Sequence, residues 1–336
     1  MASRDQANRI LLPQKISQAE AKVQALRATF KMNPSEYYRH DRVPKSKVAV
    51  NSELEWEEKR LADLKAIRST LEENDKLRGS KPHTPKRGLV YMDDSKKDDR
   101  VKVAISTGDV DHAKHVSTIL PGMNNVPSED IGDHVKNAER VRQHSIRNAK
   151  ISSEQVATIA WMYDTPQGGQ VVSSKYATKA SHEIGSALEG MHASRHTNGI
   201  ERAHTSLLGH SYGSTTAGKV AKMIRKGVLD DLVMYGSPGA GARDTREYNL
   251  DHGRPYVSGI KSDDAVKGKG TLNSKFGNNP MFMPGVKHLA NNSERDRLFF
   301  IPWKMFDRHS EYLEEGTSSL EDISRVVTKV PVKGER

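Results

Sequence analysis

The sequence contains no cysteine, and this absence excludes three kinds of chemistry. Without thiols the chain has no disulfide framework, no thiolate zinc site and no cysteine nucleophile. Long apolar runs are also missing: no stretch approaches the roughly 18 apolar residues of a membrane helix, so we expect no transmembrane segment. The N-terminal residues likewise lack the charged-then-apolar pattern of a secretory signal peptide.

Aromatic residues make up only 6% of the chain, while the formal net charge is +10. The excess of positive charge is concentrated at the N-terminal end, because residues 1–50 hold 10 Lys and Arg against 4 Asp and Glu. A basic arm can meet nucleic acid, an anionic envelope polymer or an acidic protein. No basic cluster is interleaved with stacking aromatic residues, so we expect a solvated helix surface and no specific nucleic-acid partner.

Two apolar stripes predict helices at the N-terminus. The first stripe has alternating spacings of three and four residues, and consists of Ile16, Ala19, Val23, Leu26 and Phe30. A capping box of Ser52 and Glu55 begins the second stripe, and Gly79 ends it. We predict a basic helical arm over residues 1–50, then a helix and linker over residues 51–87. The two stripes indicate a helical hairpin that packs on itself, on the body or on a protein assembly partner, and two helices alone bury too little to fold independently.

Residues 88–330 change to short β-branched runs separated by helix-length segments. The runs are 88–92, 100–106, 115–120, 156–163, 204–209, 231–236 and 256–260. The first two, joined by a charged turn, indicate a hairpin. Several later runs are apolar at consecutive positions, which is typical of strands buried on both faces of a parallel sheet. The pattern therefore predicts an α/β domain with a mostly parallel central sheet and helices on both faces.

The strongest chemical signal is Gly209-His210-Ser211-Tyr212-Gly213, a G-x-S-x-G motif. An apolar strand runs into it and a helix-compatible stretch runs out of it. This strand–turn–helix setting predicts a nucleophile elbow, in which a sharp turn exposes the serine hydroxyl. We expect Ser211 to be the nucleophile.

A serine hydroxyl needs a base, and the base needs an orienting carboxylate, in the chain order serine, acid, histidine. Asp263 and Asp264 directly follow the 256–260 run, and either can supply the carboxylate. His309, which precedes a final helix, is the preferred base, and His288 is the weaker alternative.

The oxyanion of the tetrahedral intermediate needs two backbone N–H donors. We expect one from Tyr212, the residue after the nucleophile, and the other from Met123 or Asn124 in the turn after the 115–120 strand. Gly122 would allow close approach there, although a simple Pro-Gly turn is the alternative.

Residues 266–308 are too irregular for another strand–helix unit and carry a group of adaptable apolar side chains. We predict that Met281, Phe282 and Met283 face the mouth of the site and bind the acyl group. Packing as ordinary core is the alternative. Motifs for metals, nucleotide phosphates and dinucleotides are missing from the sequence, so we expect no metal and no cofactor.

Several segments together resemble a family of actinobacterial α/β-hydrolases, related to phage domains, that was long described as a domain of unknown function. They are HVSTILPGMNN, VATIAWMYDTP, GHSYGS, DDLVMYGSPGAG and HSEYL, and the resemblance runs from about residue 50 to 325. It implies an α/β-hydrolase fold over residues 88–330 with Ser211 as nucleophile, Asp264 as acid and His309 as base. The family typically has G-D-P where this chain has Asp263-Asp264-Ala265, so the choice of aspartate stays open.

These observations predict a serine hydrolase of carboxylic esters, acting through an acyl-enzyme. The occurrence of the family in mycolate-bearing bacteria, and of similar domains in their phages, implies acyl-lipid or cell-envelope esters as substrates. The missing signal-peptide pattern is compatible with a cytoplasmic or a virion-associated protein. The alternative is a structural or adhesive module, such as a phage tail component, that uses a hydrolase-like fold.

Overall fold

A computed structural model describes residues 2–31, 45–251, 253–259, 275–290 and 307–334. Its centre is an eight-stranded sheet with the strand order β1-β2-β4-β3-β5-β6-β7-β8. The strands are β1 (Arg87–Asp93), β2 (Lys102–Thr107), β3 (His115–Leu120), β4 (Val156–Met162), β5 (His204–His210), β6 (Asp231–Tyr235), β7 (Pro255–Ser258) and β8 (Lys287–His288).

The first two strands form the predicted hairpin, and β2 pairs antiparallel with β4. All other neighbouring strands are parallel. Every residue of β4 is buried, as expected for an apolar strand with both faces covered. The prediction of a mostly parallel sheet with an antiparallel start is therefore confirmed.

Helices cover both faces of the sheet. They are α1 (Ala2–Lys31), α2 (Lys45–Ser80), α3 (Pro127–Ala149), α4 (Lys175–Thr197), α5 (Tyr212–Met223) and α6 (Ser318–Val327). Helices α4 and α5 pack on one face, where Ile184 and Val220 join a core with Trp161 and Leu207. Helices α1, α2, α3 and α6 share the core of the other face. The predicted α/β-hydrolase architecture thus includes the N-terminal helices in one of its two cores.

Helices α1 and α2 form an antiparallel pair against β1 and α3. Three residues of the apolar stripe of α1 are buried, and two of them, Ile16 and Ala19, share a core with Leu64, Ile67 and Leu89. Positive charges of α1 are paired with carboxylates of the same chain, in the ion pairs Arg9–Asp75, Lys15–Asp94, Lys22–Glu53 and Arg27–Glu58. Helix α1 thus uses three residues of its stripe and four of its positive charges in contacts within the protein.

The parallel strands place their carboxyl ends at one edge of the sheet, where ligands of open α/β sheets bind. The turn after β3, the turn after β5 and the segment after β6 therefore lie side by side. In the part of the chain that the structure describes, no helix combines the length and apolar character that a membrane crossing requires.

Candidate active site

Ser211 occupies a strained turn between β5 and α5. Its backbone has φ of 50° and ψ of −124°, a region that non-glycine residues rarely enter and that costs about 1–3 kcal/mol. Two main-chain hydrogen bonds hold it: Ser211 N donates to Tyr235 O at 3.0 Å, and Ser214 N donates to Ser211 O at 2.9 Å. Such strain persists only where the surroundings impose it, as they do at this turn.

The two glycines of the motif are required by close packing. A Cβ atom on Gly209 would lie 2.6 Å from Ser214 Cα, and one on Gly213 would lie 2.4 Å from Pro121 O. Both distances are shorter than real Cβ contacts, so larger residues would force the turn apart. The glycines therefore allow α5 to begin directly beside both β5 and the turn after β3.

That turn lies against the serine on its other side. A Cβ atom on Gly122 would be 3.0 Å from Ser211 Cβ and 3.4 Å from Ser211 Oγ. Tyr212 is the first residue of α5, where a backbone N–H has no acceptor within the helix. The space next to Ser211 is therefore bordered by a helix N-terminus and by the turn predicted to supply the second donor.

The two candidates for the second donor differ in their contacts. Asn124 N donates to Pro166 O at 3.0 Å, and Asn124 Oδ1 accepts a bond from Gly168 N at 2.8 Å. Asn124 thus fastens the turn to the segment after β4. Met123 packs half-buried against the core, and its carbonyl accepts from Asn125 Nδ2.

The two candidate bases, His309 and His288, lie at different distances from the elbow. The His309 ring centroid is 4.8 Å from that of His210, the residue before Ser211. His288 pairs with Val257 on the outermost strand, in the same row as Met234 and Gly209. Three strand spacings separate His288 from Gly209, about 14 Å. Of these two histidines, His309 is therefore the nearer to the elbow.

Asp263 and Asp264 lie outside the described residues. Among the residues described, Ser211 Oγ makes no hydrogen bond. Catalytic hydrogen bonds often form only when substrate binds, so the lack of a bond to Ser211 Oγ does not decide which residue is its base.

Aromatic hydroxyls next to the elbow hold neighbouring segments. Tyr212 Oη donates to Ser173 O at 2.7 Å and accepts from Ala177 N. Burial raises the pKa of Tyr212 to about 12, so the phenol remains protonated and can donate. Tyr163 Oη donates to Pro121 O at 3.2 Å, and burial raises its pKa as well. Both phenols act as fixed donors near the site.

A chain of hydroxyls below the serine was not predicted from the sequence. Ser214 Oγ lies 2.5 Å from Ser211 O and 2.6 Å from Ser237 Oγ, and Gly239 N donates to Ser237 Oγ at 3.2 Å. The side chains of Ser214 and Ser237 are almost completely buried. This chain connects the carbonyl of the strained residue to the loop after β6.

The three residues predicted to bind the acyl group have different environments. Phe282 is 77% exposed, Met281 is half-buried, and Met283 is buried in the core. Phe276, in the same segment, packs edge-on against Tyr212 with ring centroids 5.9 Å apart. The segment is therefore attached near the elbow, with Phe282 projecting outward and Met283 packed inside.

Within the described ranges, no group of three or more His, Asp or Glu residues is arranged to hold a metal ion.

Comparison with known proteins supplies the family. The chain is 29% identical over 242 residues to an uncharacterized protein of Mycobacterium tuberculosis, covering 70% of this chain and 84% of the relative. A second uncharacterized protein of that species is 33% identical over 184 residues, which is 52% of this chain and 26% of the relative.

Solved structures with a related fold include an esterase of Pyrobaculum calidifontis, at 12% identity and a TM-score of 0.42, covering 79% of this chain and 92% of the esterase. A dienelactone hydrolase of Anabaena variabilis has 12% identity and a TM-score of 0.39, covering 69% of this chain and 97% of that enzyme. The family model described as alpha/beta hydrolase matches residues 96–274, which is more than half of the chain. The chain therefore belongs to the alpha/beta hydrolase family.

Proposed function

We propose that the protein is a serine hydrolase that cleaves carboxylic esters through an acyl-enzyme. The observation that carries the proposal is the strained backbone of Ser211, held between the N-terminus of α5 and Gly122. The sharp turn of a nucleophile elbow directs the serine hydroxyl toward the space where a substrate carbonyl binds. Ser211 has the backbone conformation of such a turn, with φ of 50° at the carboxyl end of a central strand, and its side chain is largely buried. A turn of purely structural use would not need a non-glycine residue there.

In this proposal Ser211 Oγ attacks the ester carbonyl while His309 accepts its proton. Asp264, or Asp263, holds the imidazole in the required orientation. The oxyanion that forms is stabilised by Tyr212 N–H and by Met123 N–H, because Asn124 N–H is already bonded to Pro166 O. His309 then returns the proton to the leaving alcohol, and water releases the acyl group by the same steps.

The substrate class is an acyl ester with an apolar chain. Phe282 and Met281 are apolar, adjacent and at least partly exposed, on a segment attached to Tyr212 through Phe276. Methionine and aromatic side chains fit flexible acyl chains. Acyl-lipid and cell-envelope esters are the natural candidates within this class.

The experiment is turnover of p-nitrophenyl esters by Ser211→Ala. The hydroxyl contributes little packing, so we expect a folded protein whose activity falls by several orders of magnitude. Ser206→Ala is a matched control, because Ser206 is buried in β5, the strand that leads into the elbow, and its hydroxyl has no bonding partner among the described residues. Retention of more than about a tenth of the wild-type rate by Ser211→Ala would contradict the proposal.

A further inference from the structure

His210 stands where three segments of the candidate site meet. Its ring stacks on Tyr235, with centroids 5.2 Å apart and planes 25° apart. On another side it faces the His309 ring at 4.8 Å and 40°. Tyr312, three residues after His309, lies 6.1 Å away. The imidazole is therefore packed between the sheet and the short helix Asp307–Leu313 that carries His309.

A hydrogen bond fixes this arrangement. His210 Nε2 lies 2.6 Å from the main-chain oxygen of His309. A carbonyl oxygen can only accept, so Nε2 must carry the proton and donate it. The residue next to the nucleophile thus holds the backbone of the residue proposed as its base.

The opposite edge of the His210 ring approaches Gly122, in the turn after β3 that is proposed to supply an oxyanion donor. A Cβ atom on Gly122 would lie 3.6 Å from His210 Nδ1, which is van der Waals contact. His210 therefore forms part of the nucleophile turn, lies beside Gly122 and bonds to the helix that carries His309. A small displacement of this ring would change the spacing among all three.

Other hydrogen bonds between described residues hold the far end of the short helix. Thr317 Oγ1 and Ser319 Oγ donate to Tyr312 O, and an Arg140 guanidinium N–H donates to Leu313 O. A helix of 3₁₀ type is short and has poor internal hydrogen-bond geometry, so its position depends on such external bonds. At the His309 end, the bond from His210 contributes to this task.

We propose that His210 is a positioning residue for ester hydrolysis: its Nε2–H holds the main chain of His309 and thereby sets the reach of the His309 imidazole to Ser211 Oγ. This inference rests on the proposed function. Its role is separate from substrate binding, because His210 acts on the backbone of the base. A misplacement of about 1 Å in such a constellation can cost roughly 100-fold in rate.

The test compares variants that separate the ring from its N–H group. His210→Phe keeps an aromatic ring to stack on Tyr235 but removes the donor. His210→Gln loses the ring but places an amide N–H near the position of Nε2, whereas His210→Asn ends one methylene short of it. Each variant is assayed for kcat and KM with p-nitrophenyl esters and for the rate of fluorophosphonate labelling, and its fold is checked by near-UV circular dichroism.

We expect kcat and the labelling rate of His210→Phe to fall roughly 100-fold, with KM changed by less than about threefold. The kcat and labelling rate of His210→Gln should be at least about tenfold higher than those of His210→Phe. If His210→Phe does not fold, the same contrast is expected between His210→Asn, which loses activity, and His210→Gln, which retains it. Wild-type kcat in folded His210→Phe or His210→Asn would overturn the inference, and so would an equal loss in His210→Gln.

The activity of Ser211→Ala distinguishes failure of the inference about His210 from failure of the proposed function. If Ser211→Ala is inactive while folded His210→Phe has wild-type kcat, the inference about His210 alone is overturned. If Ser211→Ala is as active as the wild type, the proposed function fails and the inference fails with it.

Discussion

Gly122 packs directly against the side chain of Ser211, so closely that a Cβ atom at residue 122 would be 3.0 Å from Ser211 Cβ. This contact joins two segments that are 89 positions apart in the sequence, the turn after β3 and the turn after β5. A single methyl group there would occupy the space that the proposed oxyanion needs.

We therefore expect Gly122→Ala to reduce kcat/KM for p-nitrophenyl esters by roughly 100-fold, the cost of losing an oxyanion donor or of a comparable misplacement. Gly132→Ala is the matched control, because a Cβ atom on this helical glycine meets nothing within 4 Å. Alanine also favours a helix more than glycine does. Equal activity of the two variants would show that the Gly122 contact has no part in catalysis.

The second prediction separates the two candidate histidines. His309→Ala should lose as much activity as Ser211→Ala, since the two residues act as one unit in the proposed mechanism, whereas His288→Ala should stay within about tenfold of wild type. The physical reason is the position of His288 on β8, three strands from the elbow. A larger loss in His288→Ala than in His309→Ala would reverse the assignment.

A similar comparison separates the two aspartates that could orient the histidine. Asp264→Asn should be severe, because an asparagine cannot hold the imidazole in the required tautomer, and Asp263→Asn should be mild. Steady-state rates with one ester compare the two variants directly. The opposite order would assign the role to Asp263.

Much of the sheet could be predicted because its strands are encoded locally. The run 156–163 became β4 (Val156–Met162), and 115–120 became β3 (His115–Leu120). Continuous β-branched and apolar residues identify such strands without knowledge of their neighbours. Strand β8 was not predicted, because its two residues form no pattern.

The N-terminal helix is longer than its apolar stripe predicted. It begins at Ala2 and continues through Pro13, a residue that usually interrupts helices. Its first half is fixed by contacts with β1: Asp5 Oδ1 accepts from Leu89 N at 2.7 Å, and Asn8 Nδ2 donates to Leu89 O at 2.8 Å. Bonds between residues so far apart in sequence leave no periodic signal, so hydrophobic spacing could not reveal this half.

The candidate site was also predictable only where its residues are neighbours in the sequence. Ser211 and Tyr212 belong to one contiguous motif, whereas Ser237 and the packing of His210 on His309 depend on contacts between distant segments. The motif marked the position of His210 but gave no role to its side chain. Only the tertiary structure brings that ring to the helix of His309.

The third prediction concerns acyl-chain preference. Phe282→Ala should change the relative kcat/KM for butyrate, octanoate and palmitate esters by roughly 10–200-fold, the value of a lost hydrophobic pocket contact. Because Phe282 is 77% exposed, its truncation should not unfold the protein. Ile10→Ala, which removes an exposed apolar side chain from α1, is the control. An unchanged chain-length profile would remove Phe282 from the substrate site.

The fourth prediction is a pH dependence of stability from Asp164, which follows β4. Burial, together with the nearby carboxylates of Asp98 and Asp99, raises the pKa of Asp164 to about 7. The folded state therefore retains a proton that the unfolded chain has lost between about pH 4 and 7. Stability from this group is present at low pH and decreases as pH rises toward 7.

Asp164→Asn carries no charge to desolvate, so its melting temperature should exceed that of the wild type at about pH 8, and the difference should shrink toward about pH 4. Asp133→Asn, at an exposed carboxylate on α3, is the control for general charge effects. Thermal unfolding of the three proteins across this range gives the comparison. A difference that is constant with pH would contradict the raised pKa.

The most direct test of the account is covalent labelling of the wild-type protein with a fluorophosphonate, followed by peptide mapping. This reagent reacts with an activated serine hydroxyl, so it reports the nucleophile independently of the natural substrate. The account predicts one labelled peptide, containing Ser211, that disappears in Ser211→Ala. A folded wild-type protein that takes up no label, or takes it up at a different serine, would contradict the assignment, and the absence of labelling would favour a structural or adhesive role for the fold.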